Sequence, residues 1–205
     1  MGNKFVHRII IFYLLLQSAT SIAQVSGHSE ALRLMREGDM RKRVGQFEEA
    51  EFAYTNAIQM DQGFADAYMK RAVIYQIMGR YQESLRDFNQ AIALNPYSEY
   101  IYDKRAKLKF ISMDYKGALY DIDKALQLNP QNGSLRDFRI EDYVALGEYE
   151  KAIKDIDTNI ALGLNAGLEI IKKAYLYLLQ GETTASQEII DSMLSKGIYP
   201  AIAYD

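Results

Sequence analysis

Two stretches decide the fold: DFNQAIALNP over 87–96 and DIDKALQLNP over 121–130. They carry nearly the same text 34 residues apart, and a fainter copy, DIDTNIALGL, begins at Asp155, another 34 residues on. A chain that repeats itself at a fixed interval is built from one structural unit. A single copy of such a unit cannot bury its own apolar face, so the copies must stack.

The columns extend well beyond these stretches. A turn followed by an aromatic recurs as Gly45-Gln-Phe47, Gly79-Arg-Tyr81, Asp114-Tyr115 and Gly147-Glu-Tyr149. Three residues after each aromatic stands a small residue (Ala50, Ser84, Ala118, Ala152), and four further on a large apolar one (Tyr54, Phe88, Ile122, Ile156). Another small column follows, Ala57, Ala91 and Ala125, which Asn159 breaks. Upstream, a small residue marks the centre of the segment in four copies: Gly38, Ala72, Ala106 and, in a fifth copy, Ala174. Spacings of three and four predict two amphipathic helices per unit. Glycine supplies the turn between them, and Pro96 and Pro130 stop the second helix. Small residues let the paired helices approach closely while the aromatics fill the space beside them.

With these columns the chain resembles the tetratricopeptide repeat (TPR) family, whose 34-residue helix–turn–helix unit has this pattern. The resemblance covers 31–200 as units 31–64, 65–98, 99–132, 133–166 and 167–200. It implies an all-α fold, a right-handed superhelical solenoid of antiparallel helix pairs. The fifth unit is degenerate: Thr183, Ser186, Ile190 and Met193 keep only its outline, as expected of a capping copy. The family's tryptophan is missing throughout, and Leu34, Tyr68, Tyr102, Arg136 and Ile170 stand in its column.

The first 23 residues read differently. Lys4, His7 and Arg8 precede the apolar run IIIFYLLL (9–16), and QSATSIA ends with Ser21 and Ala23 at the spacing a signal peptidase reads. A cleaved signal peptide over 1–23 is expected, leaving Gln24 at the start of a lead-in over 24–30 and a periplasmic or secreted product. The apolar run is short of the roughly 20 residues of a membrane span, so no stable span is expected after cleavage. The tail IYPAIAYD (198–205), whose last five residues 201–205 lie beyond the repeats, is apolar and suited to covering the last hairpin.

The composition narrows the chemistry. The 205 residues carry a net charge of −3, and no cysteine is present for a disulfide or thiolate site. Losing Lys4 and Arg8 with the leader makes the product more acidic, which gives nucleic acid no foothold. His28 is the one histidine after the leader, and no metal-ligand spacing, phosphate loop or serine elbow occurs. No cofactor and no enzymatic activity are expected.

Arg71, Arg105 and Arg139, followed by Lys173, form one column of the first helices. In an antiparallel hairpin this column faces Asp87, Asp121 and Asp155, which predicts three intra-hairpin ion pairs. The family implies that first helices line a concave groove. They carry 15 basic and 9 acidic residues, against 7 basic and 15 acidic on the second helices. Candidate groove residues are the cations Arg36, Lys42, Arg43, Lys70, Lys104 and Lys107 and the anchors Met35, Met69, Val73, Tyr100, Phe110, Phe138 and Tyr175. Such a strip suits a protein or peptide with an acidic segment. The columns with which some family members clamp a chaperone carboxyl terminus read Met35, Asp39, Lys70, Tyr100 and Lys104, a poor match in which Asp39 repels a carboxylate. The expected role is a non-enzymatic interaction scaffold outside the cytoplasm; the alternative is a rigid subunit of a cell-envelope complex, assembled through its convex face or ends.

Overall fold

The computed structural model of the chain describes residues 27–198. The expected leader over 1–23 and the tail over 201–205 lie outside the described residues. The chain divides into two compact units at Pro96/Tyr97. In the first unit, α1 (27–43) pairs with α2 (Phe47–Met60) and α3 (Ala65–Ile77) with α4 (Tyr81–Leu94), and α2 packs on α3. In the second, α5 (Glu99–Ile111) pairs with α6 (Tyr115–Leu128), α7 (Gly133–Ala145) with α8 (Tyr149–Ala161) and α9 (Ala166–Leu179) with α10 (Thr183–Ser195). There α6 packs on α7 and α8 on α9. All regular structure among the described residues is helical.

The repeated columns are the core. Ala50, Ser84, Ala118 and Ala152 are fully buried, as are Tyr54, Phe88, Ile122 and Ile156. Gly38 shows why the central column is small: a Cβ there would stand 2.5 Å from the Tyr54 ring. At the turns, Gly45, Gly79, Gly147 and Gly181 all take positive φ. The equivalent residue in the third hairpin is Met113, exposed and at φ 61°, where an L side chain is strained.

All three expected ion pairs form, and each is bidentate. Arg71 Nε and Nη2 donate to Asp87 at 2.7 and 2.9 Å, those of Arg105 to Asp121 at 2.8 and 2.6 Å, and those of Arg139 to Asp155 at 2.7 and 2.6 Å. They are largely buried, Asp121 completely so, and therefore differ from solvent-screened surface pairs. The remaining nitrogen reaches the preceding hairpin: Arg71 Nη1 donates to Thr55 Oγ1 at 3.0 Å and Arg139 Nη1 to Asp123 at 2.6 Å. Arg71 and Arg139 thus each close their own hairpin and tie it to the one before.

One core position breaks the pattern. Ile74, Leu108 and Leu176 are buried equivalents in successive first helices, and α7 places Asp142 there. Asp142 is completely buried, and among the described residues neither carboxylate oxygen has a hydrogen-bond partner. Burial, with Glu141 and Asp114 adding repulsion, pushes its pKa from 3.8 up to about 7.

Three outcomes follow for stability. Arg71→Ala or Asp87→Ala strands a largely buried charge and costs about 3–5 kcal/mol, whereas Arg71→Met with Asp87→Leu recovers most of that loss; urea denaturation of the three variants measures it. Met113→Gly stabilises the fold by about 1 kcal/mol and raises the urea midpoint, through relief of the left-handed strain. For Asp142 the folded pKa lies above the unfolded one, so its contribution is greatest below pH 4 and is lost as pH rises to about 7. Asp142→Leu therefore stabilises the fold at pH 7 and above by on the order of 2–4 kcal/mol. Asp142→Asn flattens the pH dependence across that window; an unchanged pH–stability curve in both variants refutes the assignment.

Candidate protein-interaction surfaces

The residues nominated from the sequence separate into buried, engaged and available groups. In the first unit Met35 and Met69 are buried, Met35 within the cluster around Tyr54, and Val73 is half-buried. They pack between helices and offer a ligand little surface. Lys70 binds both oxygens of Asp39 at 2.7 Å, and Asp39 also accepts from Tyr54 Oη at 2.8 Å. This cation links α1 to α3. Arg36, Lys42 and Arg43 are exposed on α1 and make no ion pair among the described residues.

The second unit brings several candidates together. On α5, Tyr100 is 54% exposed and Lys104 Nζ lies 4.7 Å from its ring centroid. One turn further, Lys107 Nζ stands 5.9 Å from the Phe138 ring on α7, and Phe110 packs against Phe138 at 5.2 Å. Asp103 lies between the two lysines, 3.7 Å from Lys104 and 2.9 Å from Lys107. The result is a half-exposed aromatic surface edged by two cations that share one carboxylate. Tyr175 is exposed on α9, apart from this cluster's recorded contacts.

A polar network that column-by-column reading misses lies beside Asp137. Asn159, the residue that breaks the alanine column, is 1% exposed and fully engaged. Its Oδ1 accepts from Arg136 Nε at 2.7 Å, and its amide donates to Asp137 and Glu169 at 3.2 and 3.3 Å. Lys172 closes the network, at 2.6 Å from Glu169 and 2.9 Å from Asp137. Arg136 also donates to the Pro130 carbonyl, leaving Nη2 buried without a partner. The available signal was joint: Arg136, Asn159 and Glu169 each depart from their columns, and all three departures meet in space.

Residues 65–98, the second of the units read from the sequence, match the tetratricopeptide repeat family model. Comparison with curated proteins finds no match. Among solved structures the chain is similar to MamA, with a TM-score of 0.71 and 18% identity over 86% of this chain and 98% of that one. It is similar to YrrB, described as a TPR protein with an unusual peptide-binding site, with a TM-score of 0.67 and 16% identity over 80% of this chain and 85% of that one. A third is the first TPR of Spaghetti (RPAP3), bound to the HSP90 peptide SRMEEVD, with a TM-score of 0.57 and 25% identity over 58% of this chain and 98% of that one. These likenesses, with the helix pairs above, make the fold the helical-repeat solenoid of TPR proteins.

Proposed function

We propose that the chain is a non-enzymatic interaction scaffold acting outside the cytoplasm, holding a protein or peptide segment against α5 and α7. The observation that carries this reading is the cation–aromatic cluster of Tyr100, Lys104, Lys107, Phe110 and Phe138. Rings supply apolar contact at low entropic cost, and two lysines beside one aspartate leave a net positive edge that orients an acidic ligand. Two of the similar structures are described in terms of peptide binding, which supports the same manner of working. The HSP90-type clamp is not part of this proposal, because Lys70 is occupied by Asp39. The location rests on the leader pattern of 1–23; no helix of the described residues is long and apolar enough to cross a membrane.

The test compares the chain with a Lys104→Glu/Lys107→Glu variant of unchanged helical content as baits in a pull-down. A protein captured by the parent, and bound at least about tenfold more weakly by the variant, supports the reading. Equal capture by both baits overturns this surface as the binding site.

A further inference from the structure

The last first-helix, α9, differs from the others on one face. Leu168, Ile171, Tyr175 and Leu178 follow one another at spacings of three, four and three, and are 41, 37, 57 and 50% exposed. Charged residues interrupt the equivalent row in the other first helices: Asp39 and Lys42 in α1, Asp66 in α3, Asp103 and Lys107 in α5, and Asp137 and Glu141 in α7. Only in α9 is this row wholly apolar. The spacing is that of a coiled-coil seam, two heptads long.

We propose that this face of α9 is a self-association surface, on which a second copy of the chain docks antiparallel across a two-fold axis. The row is complementary to itself: antiparallel pairing sets Ile171 of one copy against Tyr175 of the other, and Leu168 against Leu178. The charges beside it are already neutralised. Lys172 is held by Glu169 and Asp137, and Lys173 by Asp157 at 2.7 Å. Both lysines that flank the row on α9 are thus already paired with carboxylates, so pairing two copies strands neither of them. With Leu179 at 43% exposure, the patch offers on the order of 400–500 Å² of apolar surface, the size at which patches mark interaction sites. Two such patches bury roughly 900 Å², below the about 1,200 Å² of a stable specific interface and in the range of weak, transient ones. The dimer is therefore weak and concentration-dependent, and isologous pairing is the commonest symmetry of soluble oligomers.

Sedimentation equilibrium of the chain, up to about 0.5 mM, tests this. The parent's mass is expected to rise from monomer toward dimer. Ile171→Glu and Tyr175→Lys, both at exposed positions and checked by circular dichroism, each weaken the dimer at least about tenfold. An equimolar mixture of the two variants regains it, because the new carboxylate of one copy faces the new ammonium of the other. A parent that stays monomeric overturns the proposal and leaves the face to the chain's own C-terminal segment or another protein. A dimer insensitive to both substitutions, or a mixture no better than either variant alone, overturns it as well.

Discussion

How closely two helix backbones approach at the small-residue columns is the constraint on which the rest of the structure depends. Where Gly38 passes Tyr54, even a methyl group would overlap the ring. Ala72, Ala106, Ala118 and Ala152 have no exposed surface at all. Close approach leaves room for large side chains only beside the crossing, which is where Tyr54, Phe88, Ile122 and Ile156 sit. Ser84 is tolerated in a small column because its hydroxyl donates to the Ala72 carbonyl at 2.7 Å, so that no buried polar atom goes unpaired. A hairpin closed this way still shows an apolar flank, and the next hairpin covers it.

Polar side chains then fix which hairpin sits against which. Desolvating an arginine and an aspartate consumes much of their attraction, so a buried pair adds little stability over well-packed hydrophobes of the same size. Geometry is the larger gain. A guanidinium that uses two nitrogens on its own hairpin and a third on the preceding one accepts only one register. The last hairpin has lost half of this device: Lys173 still reaches back to Asp157, but Ile189 stands where its own aspartate would be. The same logic removes cations from the surface. Lys70 and Lys172 look available on a helical projection, yet both are held by carboxylates of the neighbouring hairpin.

The period, the turn positions, the buried columns and the three arginine–aspartate pairs were legible in the sequence because each depends on residues that recur. Recurrence averages over accidents and places a side chain on a known face. It does not say what lies opposite. Met35 and Met69 share a column with polar residues and read as groove anchors, yet both are buried. Asn159 was recognised as a defect in a tight column, but its partners stand 23 and 10 residues away, at Arg136 and Glu169, and neither belongs to a repeated motif. Asp142 and Met113 passed unnoticed for the same reason. Each is a single departure, and its consequence appears only when burial or a backbone angle is known.

These departures are concentrated in the second unit, and they fall into two kinds. Some are compensated: Arg136, Asn159, Glu169 and Lys172 replace an apolar contact with a nearly complete set of hydrogen bonds, so together they cost the fold little. Others have no compensation among the described residues. Asp142 has no partner for either oxygen, and the apolar row on α9 has nothing described against it. Packing requires neither of them, since Leu108 satisfies the same core position and charged residues interrupt the same row in every other first helix. Residues that a repeated fold does not require, and does not offset locally, point to constraints outside the fold. In this chain they place the search for function in the hairpins after Pro96.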